Sequence, residues 1–200
     1  VLRSGAKSGD VLAIIGDLGF SAAGLACLSR GHNSPKEFVE RFRVPAVEYE
    51  AGPAAAKRGA TAMIDVSDGL LADLGHIAKA SGVAIDLERG ALAPNPKLVS
   101  LARNLALDPW DWVLRGGEDH ALAATFPPKK RLPTGFRVIG TVLAGPAGQV
   151  LVGGESLSGG KAGHDHFGNI QRVRALVGGT PKRVNVCVAC LKAGKVTRAI

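Results

Sequence analysis

Asp65, Ser67 and Asp68 are the residues of this chain whose types and spacing could do chemistry. Two carboxylates three positions apart, with a hydroxyl between them and the flexible Gly69 behind, can point into one space if the backbone turns there. An all-oxygen donor set on a turn suits a hard cation such as magnesium, which keeps several waters and joins one or two carboxylates to a phosphate. The competing use is structural: Ser67 or Asp68 could cap a helix by accepting a backbone N–H. A cap needs one such residue, and this turn has three.

For the three side chains to converge, a strand must end and a helix begin at the turn, and the sequence changes period there. Ala62 to Val66 is a short apolar run ending in a β-branched residue, as expected of a buried strand. Leu70, Leu71, Leu74, Ile77 and Ala78 then recur at helical spacing, while Asp73, His76 and Lys79 fall off that stripe. The pattern predicts an amphipathic helix over 69–81, stopped by Gly82 and followed by a second strand to Leu87. A second acidic cluster, Gly116 to His120 (GGEDH), immediately precedes an apolar strand, Ala121 to Phe126. It reads either as a ligand-facing turn or as a solvated bend.

Elsewhere, Val11 to Ile15 is a continuous apolar run expected to be a buried strand, and Gly16 to Gly19 lead into a helix over Phe20 to Ser29. That glycine turn either offers backbone donors to a phosphate or simply permits a tight connection. Ser34 is placed as the cap, and Pro35 at the first position, of a helix running to about Phe42. Short helices are predicted over Pro53 to Arg58 and Leu98 to Leu105, and a turn at Asp108 and Pro109 containing Trp110 and Trp112. Phe136 to Val142 is expected to be a strand, Ala144 to Gly148 a hairpin-like turn and Gln149 to Val152 its return. The glycine-rich stretch Gly153 to Gly163 fails as a phosphate loop, because Ala162 follows Gly160 and Lys161 where a hydroxyl is required.

Two hundred residues suit one domain plus an appendage, and the charge shows where the appendage starts. Residues 1–168 carry 18 basic and 17 acidic side chains, whereas residues 169–200 carry seven basic and none acidic. Nearly all of the net +8 therefore belongs to the last 32 residues, which marks a change of module. Three cysteines are too few for a disulfide framework and point to a reducing, cytoplasmic setting. No apolar run has membrane-spanning length. The chain begins at Val1 with its only methionine at Met63, so its start reads as a truncation or an unusual initiation site.

The stretch IDVSDGLLADLGHIAKASGVAIDL, the GGEDH cluster and the ending Gly163-His164-Asp165-His166-Phe167 make residues 1–168 resemble the second half of bacterial thiamine-phosphate kinase. That domain is shared with aminoimidazole ribonucleotide synthetase and its relatives. The resemblance implies an α+β fold, a mixed sheet with helices packed on one side. It implies ATP-dependent phosphoryl transfer onto thiamine monophosphate, giving thiamine diphosphate, with Mg2+ and ATP required. By the same resemblance, Asp65 and Asp68 would hold magnesium, Ser67 and Arg3 would contact ATP, and Glu118, His164 and Phe167 would face the substrate. Positioning and charge neutralisation are what such a transfer needs, and the substrate phosphate attacks without a protein nucleophile. The family's first half, with its further metal-binding aspartates, is absent from this sequence. The isolated chain is therefore expected to be inactive or nearly so, and dimerisation, which that half mainly mediates, is unsupported.

Residues 169–200, the basic tail, resemble instead the C-terminal part of bacterial large-subunit ribosomal protein number twenty-eight, so that the whole reads as a fusion. Arg172, Arg174, Lys182, Arg183, Lys192, Lys195 and Arg198 could neutralise rRNA phosphates, which makes a ribosome-associated protein the alternative reading. Cys187 and Cys190 form half of a zinc site that His164 and His166 could complete.

Overall fold

The computed structural model describes residues 1–157 and two further strands, β8 (Ile170–Val177) and β9 (Thr180–Cys187). The chain divides into two compact units, Val1–Lys161 and Ala162–Ile200. In the second unit β8 and β9 form an antiparallel pair in which Arg174 is the register partner of Arg183.

The first unit is built on a seven-stranded sheet. Its strands in chain order are β1 (Val11–Ile15), β2 (Ala62–Val66), β3 (Ala84–Leu87), β4 (Ala121–Phe126), β5 (Arg137–Leu143), β6 (Val150–Val152) and β7 (Glu155–Ser156). In space the order is β2-β4-β1-β5-β3-β6-β7. All neighbours run antiparallel except β3 and β6, which are parallel. The helices are α1 (Phe20–Ser29), α2 (Lys36–Arg43), α3 (Ala51–Lys57), α4 (Leu70–Ser81), α5 (Pro96–Leu105) and α6 (Pro109–Arg115).

Alternate residues of a strand face opposite sides of the sheet, and here the two sides carry different cores. Leu12 and Ile14 of β1 and Ala62, Ile64 and Val66 of β2 join the main core with Ala23, Leu74, Ile77, Leu98 and Trp112 from α1, α4, α5 and α6. Each fully buried leucine or isoleucine there contributes about 2 kcal/mol of transfer free energy. On the other side Ala13, Ala124 and Phe126 meet Ala55 of α3 and Ala60 in a smaller cluster. The mixed sheet with helices is as expected, and α3 is the exception to one-sided packing. Burial on both sides is why β1 is apolar at every position.

Several local expectations are corrected. Pro35 is the N-cap of α2 rather than its first helical residue, and no side chain caps that helix, Ser34 included. The segment with Trp110 and Trp112 is a helix, with Pro109 in its first turn and Asp108 accepting from Trp110 N–H at 2.9 Å. Residues 150–152 do not return along β5 as a hairpin: β3 lies between β5 and β6 and pairs with both. No described helix is long and apolar enough to cross a membrane.

Candidate active site

β2 delivers the acidic turn to one margin of the sheet, since among the described residues its only strand partner is β4. Its burial alternates: Ile64 and Val66 face the main core, so Asp65 projects from the other side and is exposed. Ser67 and Asp68 follow in the turn, and Gly69, at φ 115°, swings the chain into α4. A side chain at 69 would be strained by that φ and would meet the Arg115 carbonyl oxygen at 2.7 Å, so glycine is required there.

The turn is organised from inside the helix. Asp73 is 2% exposed, and its Oδ2 accepts the backbone N–H groups of Ser67, Asp68 and Gly69 at 3.0, 3.0 and 3.1 Å. Burial pushes its carboxyl above the usual aspartate range, against the lowering effect of those three donors. No side chain caps α4 at its N-cap. The capping use of Ser67 or Asp68 that the sequence left open is thus not taken. Asp73 ties down the turn amides instead, and the Ser67 hydroxyl and Asp68 carboxylate are not spent on closing the helix.

Arg3, Asp65, Ser67 and Asp68 line one cleft of about 350 Å³ with Asp73 and His76. Asp68, Asp73 and His76 each offer a ligand atom within 4.8 Å of the others. Asp65 stands outside that triad: its Oδ2 is 4.0 Å from Nδ1 of His120, whose Nε2 is 3.5 Å from Oε2 of Glu118. The donor chemistry, carboxylates and a hydroxyl in a cleft open to solvent, fits a magnesium ion that retains waters and phosphate oxygens.

The GGEDH segment is fastened against the turn. Glu118 N–H donates to the Ser67 carbonyl at 2.9 Å and His120 N–H to the Val66 carbonyl at 3.0 Å. Glu118 and His120 have φ of 64° and 53°, a left-handed backbone that is costly for residues with a β-carbon and is paid for by these bonds. Between them Asp119 is buried, its carboxylate accepting from Gly19 N–H and from Ser21 N–H. Two of the backbone donors that a phosphate at the Gly16–Gly19 turn and the start of α1 would use, those of Gly19 and Ser21, are thus taken by Asp119. Desolvation pushes the Asp119 carboxyl up to about 6, with the two backbone donors and Arg41 pulling the other way.

Asp73 and His76 are the cleft residues that sequence reasoning missed, and His120 is marked there only as part of the GGEDH cluster. Asp73 lies off the apolar stripe, and only its place in the first turn of α4, where an acid meets unpaired amides, signals its use. Of the other expected residues, His164, Phe167, Lys192, Lys195, Arg198, His166 and Cys190 lie outside the described residues. Arg172 and Arg174 fall on β8, and Lys182, Arg183 and Cys187 on β9.

Thiamine-monophosphate kinase of Mycobacterium tuberculosis is 56% identical over 169 residues, covering 84% of this chain and 50% of that protein. The Corynebacterium glutamicum enzyme of the same name is 41% identical over 144 residues, covering 68% and 42%. This chain therefore spans about half the length of the curated relatives it matches. Among solved structures, thiamine monophosphate kinase from Aquifex aeolicus superposes with a TM-score of 0.70 at 32% identity, over 78% of this chain and 54% of that one. AaThiL complexed with AMPPCP and TMP superposes with a TM-score of 0.71 at 32% identity, over 78% and 52%. The family model for the AIR synthase related protein, C-terminal domain, matches residues 7–153, and the chain belongs to that family.

Proposed function

We propose that this chain forms one wall of a kinase site in which the terminal phosphoryl group of ATP passes to the phosphate of thiamine monophosphate, giving thiamine diphosphate. The observation that carries the reading is the shared cleft of Arg3, Asp65, Ser67 and Asp68, with the turn amides held by Asp73 rather than by Ser67 or Asp68. The relatives named thiamine-monophosphate kinase and the relative bound to AMPPCP and TMP support it.

Asp65 and Asp68 would hold Mg2+, which when bound neutralises phosphate charge and aligns the phosphoryl group for in-line transfer. Arg3 and the Ser67 hydroxyl orient the ATP phosphates from the cleft wall. Glu118, in the segment fastened to the Ser67 and Val66 carbonyls, faces the substrate. No side chain needs to act as nucleophile, because the substrate phosphate attacks. The cytoplasm, where ATP and Mg2+ are plentiful, is the proposed setting. Turnover by these 200 residues alone is proposed to be slow, since two carboxylates in an open cleft supply few of the six oxygens magnesium demands.

Hydrogen exchange tests this reading. ATP with Mg2+ is expected to protect Asp65 to Leu71, and Asp68→Asn to abolish that protection. An exchange pattern in the wild-type chain that nucleotide leaves unchanged sinks it.

A second reading, RNA binding through residues 169–200, is favoured by seven basic and no acidic side chains in that stretch. It calls for RNA affinity that falls steeply with salt and disappears when residues 169–200 are deleted. Salt-independent binding, or binding that survives the deletion, excludes it.

A further inference from the structure

We infer that Asp73 is a positioning residue for nucleotide binding: its carboxylate fixes the Ser67–Gly69 backbone so that Ser67 and Asp68 present their side chains to the cleft in a ligand-ready arrangement. The inference rests on the nucleotide reading above and deepens it.

Three backbone donors on consecutive residues converge on one oxygen, Asp73 Oδ2. Consecutive N–H groups that share one acceptor cannot point outward, so the turn is held in a concave form while Ser67 and Asp68 line the cleft beside it. The anion that this concavity would otherwise draw from solution is supplied by the protein itself. Asp73 is anchored in turn by α4, where the neighbouring Leu74 and the Ile77 one turn on are fully buried. The arrangement is therefore rigid before any ligand arrives, which spares the ordering cost of binding. Asp73 also lies within 4.8 Å of Asp68 through their ligand atoms, so its charge adds to the negative potential that a cation in the cleft would meet.

Ordinary helix capping would stabilise the fold without influencing ligand affinity. A positioning role requires affinity to fall by more than the lost stability explains. The test compares the full wild-type chain with Asp73→Asn, and with Ile77→Val as a control for lost stability in the same helix. Binding of magnesium with a non-hydrolysable ATP analogue is measured by titration, and exchange of the Ser67, Asp68 and Gly69 amides is measured without ligand. Asparagine keeps the shape but gives up the charge-assisted bonds. Affinity is expected to fall about tenfold or more in Asp73→Asn, with faster exchange at the three amides, while Ile77→Val binds as wild type does.

Wild-type affinity in Asp73→Asn, or an equal loss in Ile77→Val at matched melting temperature, overturns the inference and leaves the nucleotide reading standing. Free exchange of the three amides in the wild type overturns it too, with no variant needed. If the wild-type chain binds no nucleotide although those amides are protected, the nucleotide reading fails and takes this inference with it.

Discussion

Ser21 donates its backbone N–H to the Asp119 carboxylate at 3.0 Å across 98 residues of chain, and its hydroxyl donates to the neighbouring Glu118 carbonyl at 2.8 Å. The start of α1 and the GGEDH segment are thus one hydrogen-bonded unit, although one belongs to the first strand–helix connection and the other precedes β4.

That unit has a pH dependence of unusual sign. Burial holds the Asp119 carboxyl up at about 6 against an ordinary value of 3.8. The folded state therefore binds this proton more tightly than the unfolded state does. Its contribution to stability is fully present below about pH 4 and is lost as pH rises through about 6, by a total of about 3 kcal/mol. Asp119→Asn removes the titration. Denaturant midpoints of variant and wild type, compared at pH 4 and pH 7, should show the variant gaining relative stability at the higher pH. A difference independent of pH contradicts this assignment.

Gly117→Ala should part the two acidic segments. A β-carbon at 117 would lie 2.5 Å from the Ser67 carbonyl oxygen, a backbone atom that cannot swing aside. The expected cost is about 1–3 kcal/mol, typical of overpacking. Thermal melting measures it, and amide exchange at Glu118 and His120 should rise with the loss of their bonds to Ser67 and Val66. Unaltered melting would mean that the close approach is not maintained in solution.

Asn95 and Lys97 stand close together in sequence and should behave very differently. Asn95 caps α5 by accepting Lys97 N–H at 3.0 Å, and Asn95→Ala should cost about 1 kcal/mol. The Lys97 side chain reaches Glu37 at 2.6 Å, but both partners are largely exposed. Lys97→Ala should therefore change stability by about 0–1 kcal/mol, an effect that fades in salt. Urea midpoints of the two variants at low and high salt separate the cases, and a salt-sensitive Asn95→Ala would reverse the argument.

How far the sequence could be read follows from which interactions are local. The strand, turn and helix from Ala62 to Ser81 stand out because the apolar period changes at the turn, and Gly82 ends the helix in the left-handed conformation expected of it. Arg3 of the cleft is marked only by the family resemblance, whereas the cleft's Asp65, Ser67 and Asp68 carry their identity in residue type and spacing. Asp73 did not, because a carboxylate off the apolar stripe reads as solvent-facing until three amides are seen to surround it. Asp108 and Pro109 signal a turn and a helix start equally well, and only tertiary burial of Trp112, Val113 and Leu114 decides for α6. The placement of β3 between β5 and β6 has no local signature, since both pairings join residues more than 50 positions apart.

The position of β1 bears on how this polypeptide is born. Its two neighbours are β4 and β5, so that Val11 is matched with Phe126 on one flank and Thr141 on the other. A nascent chain emerging from the ribosome in sequence order must carry β1 without either of these two partners until about a hundred further residues have been made. Such late closure favours slow assembly. Until then that apolar strand is open to rival pairings, and a chaperone that shields residues 11–15 should raise the yield of folded protein.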